Sequence, residues 1–469
     1  MISQFLVNRR FRRKLKSKMK KKRRNRRYSH RLFLDKEYIR IGKKIHSYED
    51  ALRYFLPKNL AYLTSCKNSP FYIKKLRREK KGKQHKILLV PKCFSIIDNA
   101  KESYDFLSSL ISAFLFQTCN HIQLDYKICE KVDLATQVFL DSILLDIDKF
   151  IILCKRANIY NKYVRLSSFG GFNIENKDVI RLLYSVGSPA ELTKRRVKFK
   201  DVHPYRLKRF DEDNLSSKSA LAQKEIDTTT LLDYVNSCLL RVGKTLKRET
   251  SMDLGCVIGE TLINAEEHSS LKYRYLIGYF EECTQEGKHF GLLNLVIMNF
   301  GQTIYEKFKE PIEGSPVNKE CLDKMQHLSD QFKSRSIFKK DRFTEETLWT
   351  LYSLQGGVSC IPRDICHRGN GTIQFINSFF KLKGNDNVDD ISRMLLLSGN
   401  TRIDFDGTYK LVENAEDGGY PGGIISFNES GKLTEAPDEK YVRAVDDYFP
   451  GTIIFAKLLI NDDDLNNNE

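Results

Sequence analysis

The spacing of apolar residues, and the point where that spacing changes, constrains this chain most. From "KILLVP" (Lys86–Pro91) to Gly187, short apolar runs alternate with helical patterns. "HIQLDY" and "KYVRLSS" read as strands. "NAKESYDFLSSLISAFLF" is helical, with Asn99 as a candidate cap. "VDLATQVFLDSILLDIDKFIILCKR" carries Leu140, Ile143, Leu144, Ile147 and Ile151 at helical spacing. "NKDVIRLLYSVG" is a short helix ended by Gly187. Strands alternating with helices argue for a small α/β layer. From Ile226 the order changes. Two helical patterns come first, "IDTTTLLDYVNSCLLRVGKTL" and Ser251–His268. Two strands follow, Lys272–Glu282 and Phe290–Gly301. An irregular, partly helical stretch runs to Cys366. A glycine turn then opens a helix, and "ISRMLLLSG", "TRIDFDGTYKL", "GGIISF" and "GTIIFAKLLI" are late strands.

Charge divides the chain further. The formal net charge is +18, yet Arg9–Arg31 alone holds fifteen Lys and Arg and no acid. Taking those away leaves +3, so the folded body is close to neutral and the basicity belongs to an arm. Such a run repels itself and is expected to be disordered or loosely helical when free. It has the chemistry to bind nucleic-acid phosphates without sequence preference, although any anionic surface would serve as well. A second basic stretch, Lys74–Lys86, precedes the first strong strand. Before it, "SYEDALRYFL" is a helix with Ser47 as the candidate N-cap. The expected divisions are therefore a disordered arm (1–32), a basic helical or linker region (33–85), a small α/β domain (86–192), a polar linker (193–225), a larger domain (226–462) and an acidic tail (463–469).

The eleven cysteines form no C-x-x-C pair, and the nearest two, Cys360 and Cys366, lack partners at zinc-ligand spacing. Scattered thiols fit a reducing cytoplasm. No run of about 18 apolar residues suggests a membrane span, and the N-terminus has the reverse order of a secretory signal.

Within the larger domain, "GETLINAEEHSS" (Gly259–Ser270) raises a chemical question. At 100° per residue, Leu254, Val257, Ile258, Thr261, Leu262 and Ala265 form an apolar face. Glu260, Asn264 and Glu267 share one edge of it, with His268 close by. Alone, this is an ordinary amphipathic helix. One turn apart, however, a carboxylate and an amide oxygen can converge: the amide can ligate Mg²⁺, which keeps several waters, and the carboxylate can take a proton. Downstream, "VIMNFGQTI" ends a strand at Asn299 beside Gly301. "HRGNGTIQF" puts Gly369, Asn370 and Gly371 at the opening of a helix that continues with Thr372, with His367 and Arg368 adjacent. Glycines there admit a phosphate to the first-turn N–H groups. Each glycine turn alone is more often only a turn.

In this order, the three pieces resemble the Bergerat-fold (GHKL, histidine-kinase-like) ATP-binding family, nearest to the anti-sigma-factor serine kinases. The resemblance covers about Asp227 to Ile460. "GETLINAEEHS" is similar to the family's N box, "VIMNFGQTI" to its first glycine box and "RGNGT" to its second. The resemblance implies Glu260 as general base and Asn264 as Mg²⁺ ligand. It implies ATP contacts from Asn264, Glu267, His268, Asn299, Gly301, Arg368, Gly369, Asn370, Gly371 and Thr372, and a lid between the glycine boxes that can carry Arg363. Two departures stand out. Asn299 occupies the place of an adenine-reading Asp, and Thr303 that of the second glycine. No phosphoacceptor His in a helix hairpin marks a sensor kinase. Upstream, "HIQLDY" followed by "KVDLATQVFLDSILL" resembles the small anti-sigma antagonist (STAS-like) fold, which is switched by phosphorylation at the start of that helix. Thr136 is the nearest hydroxyl there, but the usual Asp-Ser-Ser/Ala-Gly pattern is absent, and a buried or capping Thr is the plainer reading.

The fold class expected is thus α/β: a C-terminal α+β two-layer sandwich of the Bergerat type, preceded by a STAS-like domain and a basic arm. The expected function is a Mg-dependent ATPase or Ser/Thr protein kinase of the anti-sigma type, acting as a regulatory switch with a protein partner and leaving room for a homodimer. The alternatives are a nucleotide-sensing scaffold without turnover, and a nucleic-acid-binding protein whose arm, residues 9–31, is the working part.

Overall fold

The computed structural model describes residues 36–76, 82–187, 199–211, 217–267, 271, 273–285, 288–311, 318–335, 343–356, 358, 371–383, 391–412, 423–460 and 465–467. The basic arm falls outside these, as does most of the acidic tail. Helices and sheets are mixed, as the apolar patterning implied.

The N-terminal half opens with α1 (Tyr48–Phe55) and α2 (Lys58–Ser65). Ser47 caps α1: its side chain accepts from the Asp50 N–H at 3.0 Å, and the Asp50 carboxylate accepts from the Ser47 N–H at 3.1 Å. Strands β1 (Lys83–Leu89), β3 (Cys119–Asp125) and β5 (Ser168–Phe172) form a parallel sheet in the order β1-β3-β5. A two-residue parallel pair joins β2 (Cys93–Phe94) to β4 (Lys131–Val132). Between the strands lie α3 (Ala100–Leu115), α4 (Leu134–Arg156) and, after a turn of helix α5 (Tyr160–Tyr163), α6 (Lys177–Val186). The turn of α5 takes part of the segment read above as a strand; β5 starts five residues after it. Helix α4 is buried over most of its length, polar Gln137, Asp141, Ser142 and Asp146 included. Gly187 ends α6 at φ 70°, a left-handed position that suits glycine.

The C-terminal half is built on one five-stranded sheet in the order β10-β11-β9-β8-β6, every neighbouring pair antiparallel. Its strands are β6 (Val202–Asp211), β8 (Tyr273–Gln285), β9 (Lys288–Phe300), β10 (Arg393–Phe405) and β11 (Val442–Ile460). Around it run α7 (Ser217–Leu239), α8 (Arg248–Glu267), α9 (Ile304–Lys309), α10 (Lys319–Arg335), α11 (Glu345–Tyr352) and α12 (Gly371–Lys383). Short β7 (Lys244–Leu246) pairs with β12 (Leu465–Asn467).

The segment 193–225, expected as a linker, is structural where it is described. It supplies edge strand β6, paired with β8, and the first turns of α7. Two features hide β6 in the sequence. A register shift between Tyr205 and Lys208 breaks its alternation, and its charges have partners inside the fold. Arg209 reaches the buried Asp146 at 3.3 Å, and Lys208 lies 3.7 Å from Asp227. The late strands also differ from expectation. "ISRMLLLSG" and "TRIDF" are one strand, β10, with an irregularity at Ser398–Gly399. "GGIISF" contributes only an isolated bridge, Ile424 to Val412.

The large sheet has two buried faces, so the two-layer expectation extends to three layers. Leu276, Leu293, Leu295 and Ile297 pack with Leu254, Val257, Ile258 and Leu262 of α8 and Ile376 and Phe379 of α12. Tyr275, Ile277, Val296, Met298 and Phe300 point the other way and join the core of the N-terminal half. Phe139 of α4 stands at that junction, with ring centroids 5.5 Å from Phe71, 5.1 Å from Phe300 and 5.8 Å from Phe449. The Asn59 amide also donates across it to the Tyr275 hydroxyl. Replacing Phe139 by Ala should therefore cost about 3–5 kcal/mol and weaken both halves together. In urea, the fluorescence of Trp349, which lies in the C-terminal half, and far-UV dichroism should show one shared, downshifted midpoint. An unmoved Trp349 transition would show that the halves unfold independently.

Candidate functional site

Helix α8 is held from two sides. Its buried apolar residues lie on the sheet, and Gly255 and Gly259 face α7. A Cβ on Gly255 would come within 3.3 Å of the Leu232 side chain. On another edge, Asp253 accepts a hydrogen bond from Ser378 of α12 at 3.1 Å. Asp253, Cys256 and Glu260 follow one another at helical spacing, so Glu260 continues the edge that α12 meets. Glu260 is partly exposed. Asn264 and Glu267 come next along that edge; their backbone belongs to α8, and their side chains lie outside the described residues. The same holds for Gly371 and Thr372 at the start of α12. His268, Arg363, His367, Arg368, Gly369 and Asn370 lie wholly outside the described residues.

The strand-end residue is described fully. Asn299 has the parity of Leu295 and Ile297, so it points toward the helix-covered face of the sheet. It is 0% exposed, and neither its Oδ1 nor its Nδ2 has a hydrogen-bond partner. No other described side chain leaves two such atoms unpaired. A buried amide without partners costs roughly 1–3 kcal/mol by mutational measures, and native proteins satisfy most such groups. Asn299 stands out among the described residues because both of its polar atoms are left unpaired.

The neighbouring strands extend the polar row. Asn299 registers against Thr452 of β11, and Thr452 against Ser398 of β10. Both hydroxyls are buried, and they lie 2.9 Å apart. The Ser398 hydroxyl also donates to the Gly451 carbonyl at 3.1 Å and accepts from the Ile304 N–H at 3.0 Å. The row is therefore satisfied at one end and open at the Asn299 end. Sequence reasoning missed Ser398 and Thr452. The available signal was a polar residue within two positions of a glycine in each of three apolar strands: Asn299 with Gly301, Ser398 with Gly399, and Thr452 with Gly451. Gly451 has no substitute, since a Cβ there would fall 2.1 Å from the Asn299 carbonyl oxygen.

Gly301 turns the chain out of β9 at φ 131°. Thr303, at the position where the resemblance expects a glycine, is the N-cap of α9. Its side chain accepts from the Glu306 N–H at 3.1 Å, and Glu306 accepts from the Thr303 N–H at 3.0 Å. The departure from glycine has a local structural reason in this capping box. The stretch expected as a lid also contributes well-packed structure, with Ile304, Phe308, Phe332, Leu348 and Trp349 all buried. Among the described residues no group of three or more His, Cys, Asp or Glu is placed to hold a metal ion.

Thr136 does not fit a phosphoacceptor. It is 0% exposed; its hydroxyl donates to Asp133 at 2.8 Å and accepts from the Ile96 N–H. Nearby, a cavity of about 460 Å³ opens between α4, β5, the end of α6 and β6. Leu144, Phe169, Val186 and Leu207 line it, with Asp141 in its wall and Asp148 and Arg206 also facing it. Burial pushes the Asp141 carboxyl up to about 7, against the lowering effect of the Gln137 amide that donates to it at 3.0 Å.

Two predictions follow from these buried groups. Asn299→Leu should raise the stability of the ligand-free protein by roughly 1–3 kcal/mol in chemical denaturation; a loss would mean that the amide already has a partner. For Asp141, the folded state binds the extra proton between its unfolded value near 4 and about 7. Stability should fall as pH rises through that window, and Asp141→Asn should flatten this component of the profile. Compared with protein-family models, with curated proteins and with solved structures, the chain matches none.

Proposed function

We propose that this chain binds Mg-ATP in the manner of the Bergerat-fold family, and that it acts as an ATPase or a Ser/Thr protein kinase of the anti-sigma type in a regulatory switch. The carrying observation is Asn299: a fully buried amide at a strand end, unpaired at both polar atoms, facing the layer that contains α8 and α12. An adenine edge would give it the missing hydrogen bonds. The order of elements adds support, since the Glu260 helix, the Asn299 strand end and the helix opening at Gly371 follow one another as the motif order requires, and Ser378 ties α12 to α8.

In this reading Asn264 presents its amide oxygen to Mg²⁺, which completes its shell with phosphate oxygens and waters. Bound Mg-ATP would supply an activated phosphoryl group. Glu260 would accept the proton of the attacking hydroxyl or water, and the Asn299 amide would orient the base. Gly369 and Gly371 would admit the phosphates to backbone N–H groups. A STAS-like role for 86–192 would require an acceptor other than Thr136.

A second reading is a nucleotide sensor without turnover, in which binding selects one conformation and so one partner. The replacement of a charged reader by Asn299 favours it. Two variants separate the readings. Asn264→Ala should abolish Mg-ATP binding by calorimetry while leaving the circular dichroism unchanged; retained binding would remove the Mg²⁺ assignment. Glu260→Gln should keep binding within a few-fold. If the protein turns ATP over, this variant should lose at least a hundredfold in rate, and if it only senses ATP, every partner effect should survive.

A further inference from the structure

The two unpaired atoms of Asn299 also say what kind of base edge the site can read. We infer that this site accepts 6-amino and 6-oxo purine nucleoside triphosphates alike, reading a donor next to an acceptor at the six-position edge. The inference rests on the nucleotide-binding reading above and deepens it.

An amide presents one acceptor, Oδ1, beside one donor, Nδ2. Adenine presents the matching pair, with its N6–H donating to Oδ1 and its N1 accepting from Nδ2. A 6-oxopurine presents the same pair reversed, with N1–H as donor and O6 as acceptor. Rotation of the amide by half a turn about its terminal torsion converts one match into the other. A carboxylate could not do this, because both of its oxygens accept.

Such a rotation is free only if nothing else in the protein fixes the amide. At Asn299 nothing does: neither atom is hydrogen bonded. The nearest polar side chain in register, Thr452, is engaged with Ser398 at 2.9 Å. Ser398 is in turn committed to Gly451 and Ile304. Because Ser398 donates to Gly451, Thr452 donates to Ser398, and neither hydroxyl is bonded to the amide. Asn299 is 0% exposed and Thr452 3%, so a ligand that reaches the amide and leaves either of its atoms unpaired meets the full desolvation penalty. The site selects against purines lacking a six-position substituent, and not between the two common substituents.

The test is calorimetry on the full chain with Mg-ATP, Mg-ITP and the Mg complex of purine riboside triphosphate. ITP lacks the 2-amino group, so it differs from ATP only at the edge in question, and the riboside carries hydrogen at C6. ATP and ITP should bind within tenfold of each other, and the riboside at least tenfold more weakly than both. Asn299→Leu should bind all three within about threefold of one another, and ATP more weakly than the parent does. A gap between ATP and ITP of more than tenfold, or a riboside that binds as well as ATP, would overturn the inference and leave nucleotide binding standing. If none of the three binds the parent protein, the nucleotide reading itself falls. Should Asn299→Leu fail to fold, the parent's three affinities still decide the matter.

Discussion

The burial of the large sheet on both faces is the constraint on which the rest depends. Antiparallel sheets commonly leave one face to water. Here one face lies under α8 and α12 and the other against α4 and its neighbours. With no wet side, the central strands must be apolar at nearly every position. "LLNLVIMNF" in β9 and "TIIFAKLLI" in β11 read as continuous runs for that reason. Each polar side chain that remains inside has to find a partner or bear the cost of burial. Arg274, 1% exposed, finds Asp227 at 2.6 Å and the Phe210 ring at 4.4 Å. Ser398 and Thr452 find each other. Asn299 finds nothing at either polar atom, whereas Asn294 of β9 and Tyr205 of β6 each leave one buried atom unpaired.

The elements written by local rules were legible. Ser47 caps α1, Gly187 makes the C-cap of α6, and the apolar periodicity of α4 makes a helix. The two strands expected at Lys272–Glu282 and Phe290–Gly301 are present as β8 and β9, and they pair antiparallel. What could not be read were features set by partners distant in sequence. β6 carries Arg206, Lys208 and Arg209 and looks like a polar connector, because Asp146 and Asp227, the groups that receive Arg209 and Lys208, lie 63 and 19 residues away in the chain. The same cause hid the common core. Nothing in the local pattern of "TQVFLDS" shows that Phe139 will meet Phe300 and Phe449.

The candidate site divides along the same line. Glu260 and Asn264 were visible because a helix places residues four apart on one edge by its own geometry. Ser398 and Thr452 were not, because their relation to Asn299 exists only through the register of three strands. Thr303 illustrates a further limit. From the sequence it is a lost glycine; in the fold it is the cap of α9, occupied by Glu306. A departure from a motif can thus have a structural cause that says nothing about affinity.

The architecture gives any ligand at Asn299 a route to the N-terminal half. Strand β9 carries Asn299 on one face and Met298 and Phe300 on the other, one residue away on each side. Phe300 meets Phe139, and α4, which carries Phe139, also presents Asp146 to Arg209 of β6. Close-packed interiors respond to a shift of this kind by repacking as units, because they hold few voids to absorb it. A base that orders the Asn299 amide would therefore act on a strand whose opposite face is the interface between the halves. Adjustment of β9 would reach α4 through one aromatic contact, without requiring motion of the intervening helices. The residue that lacks a partner sits, through one strand, on the contact that joins the two halves.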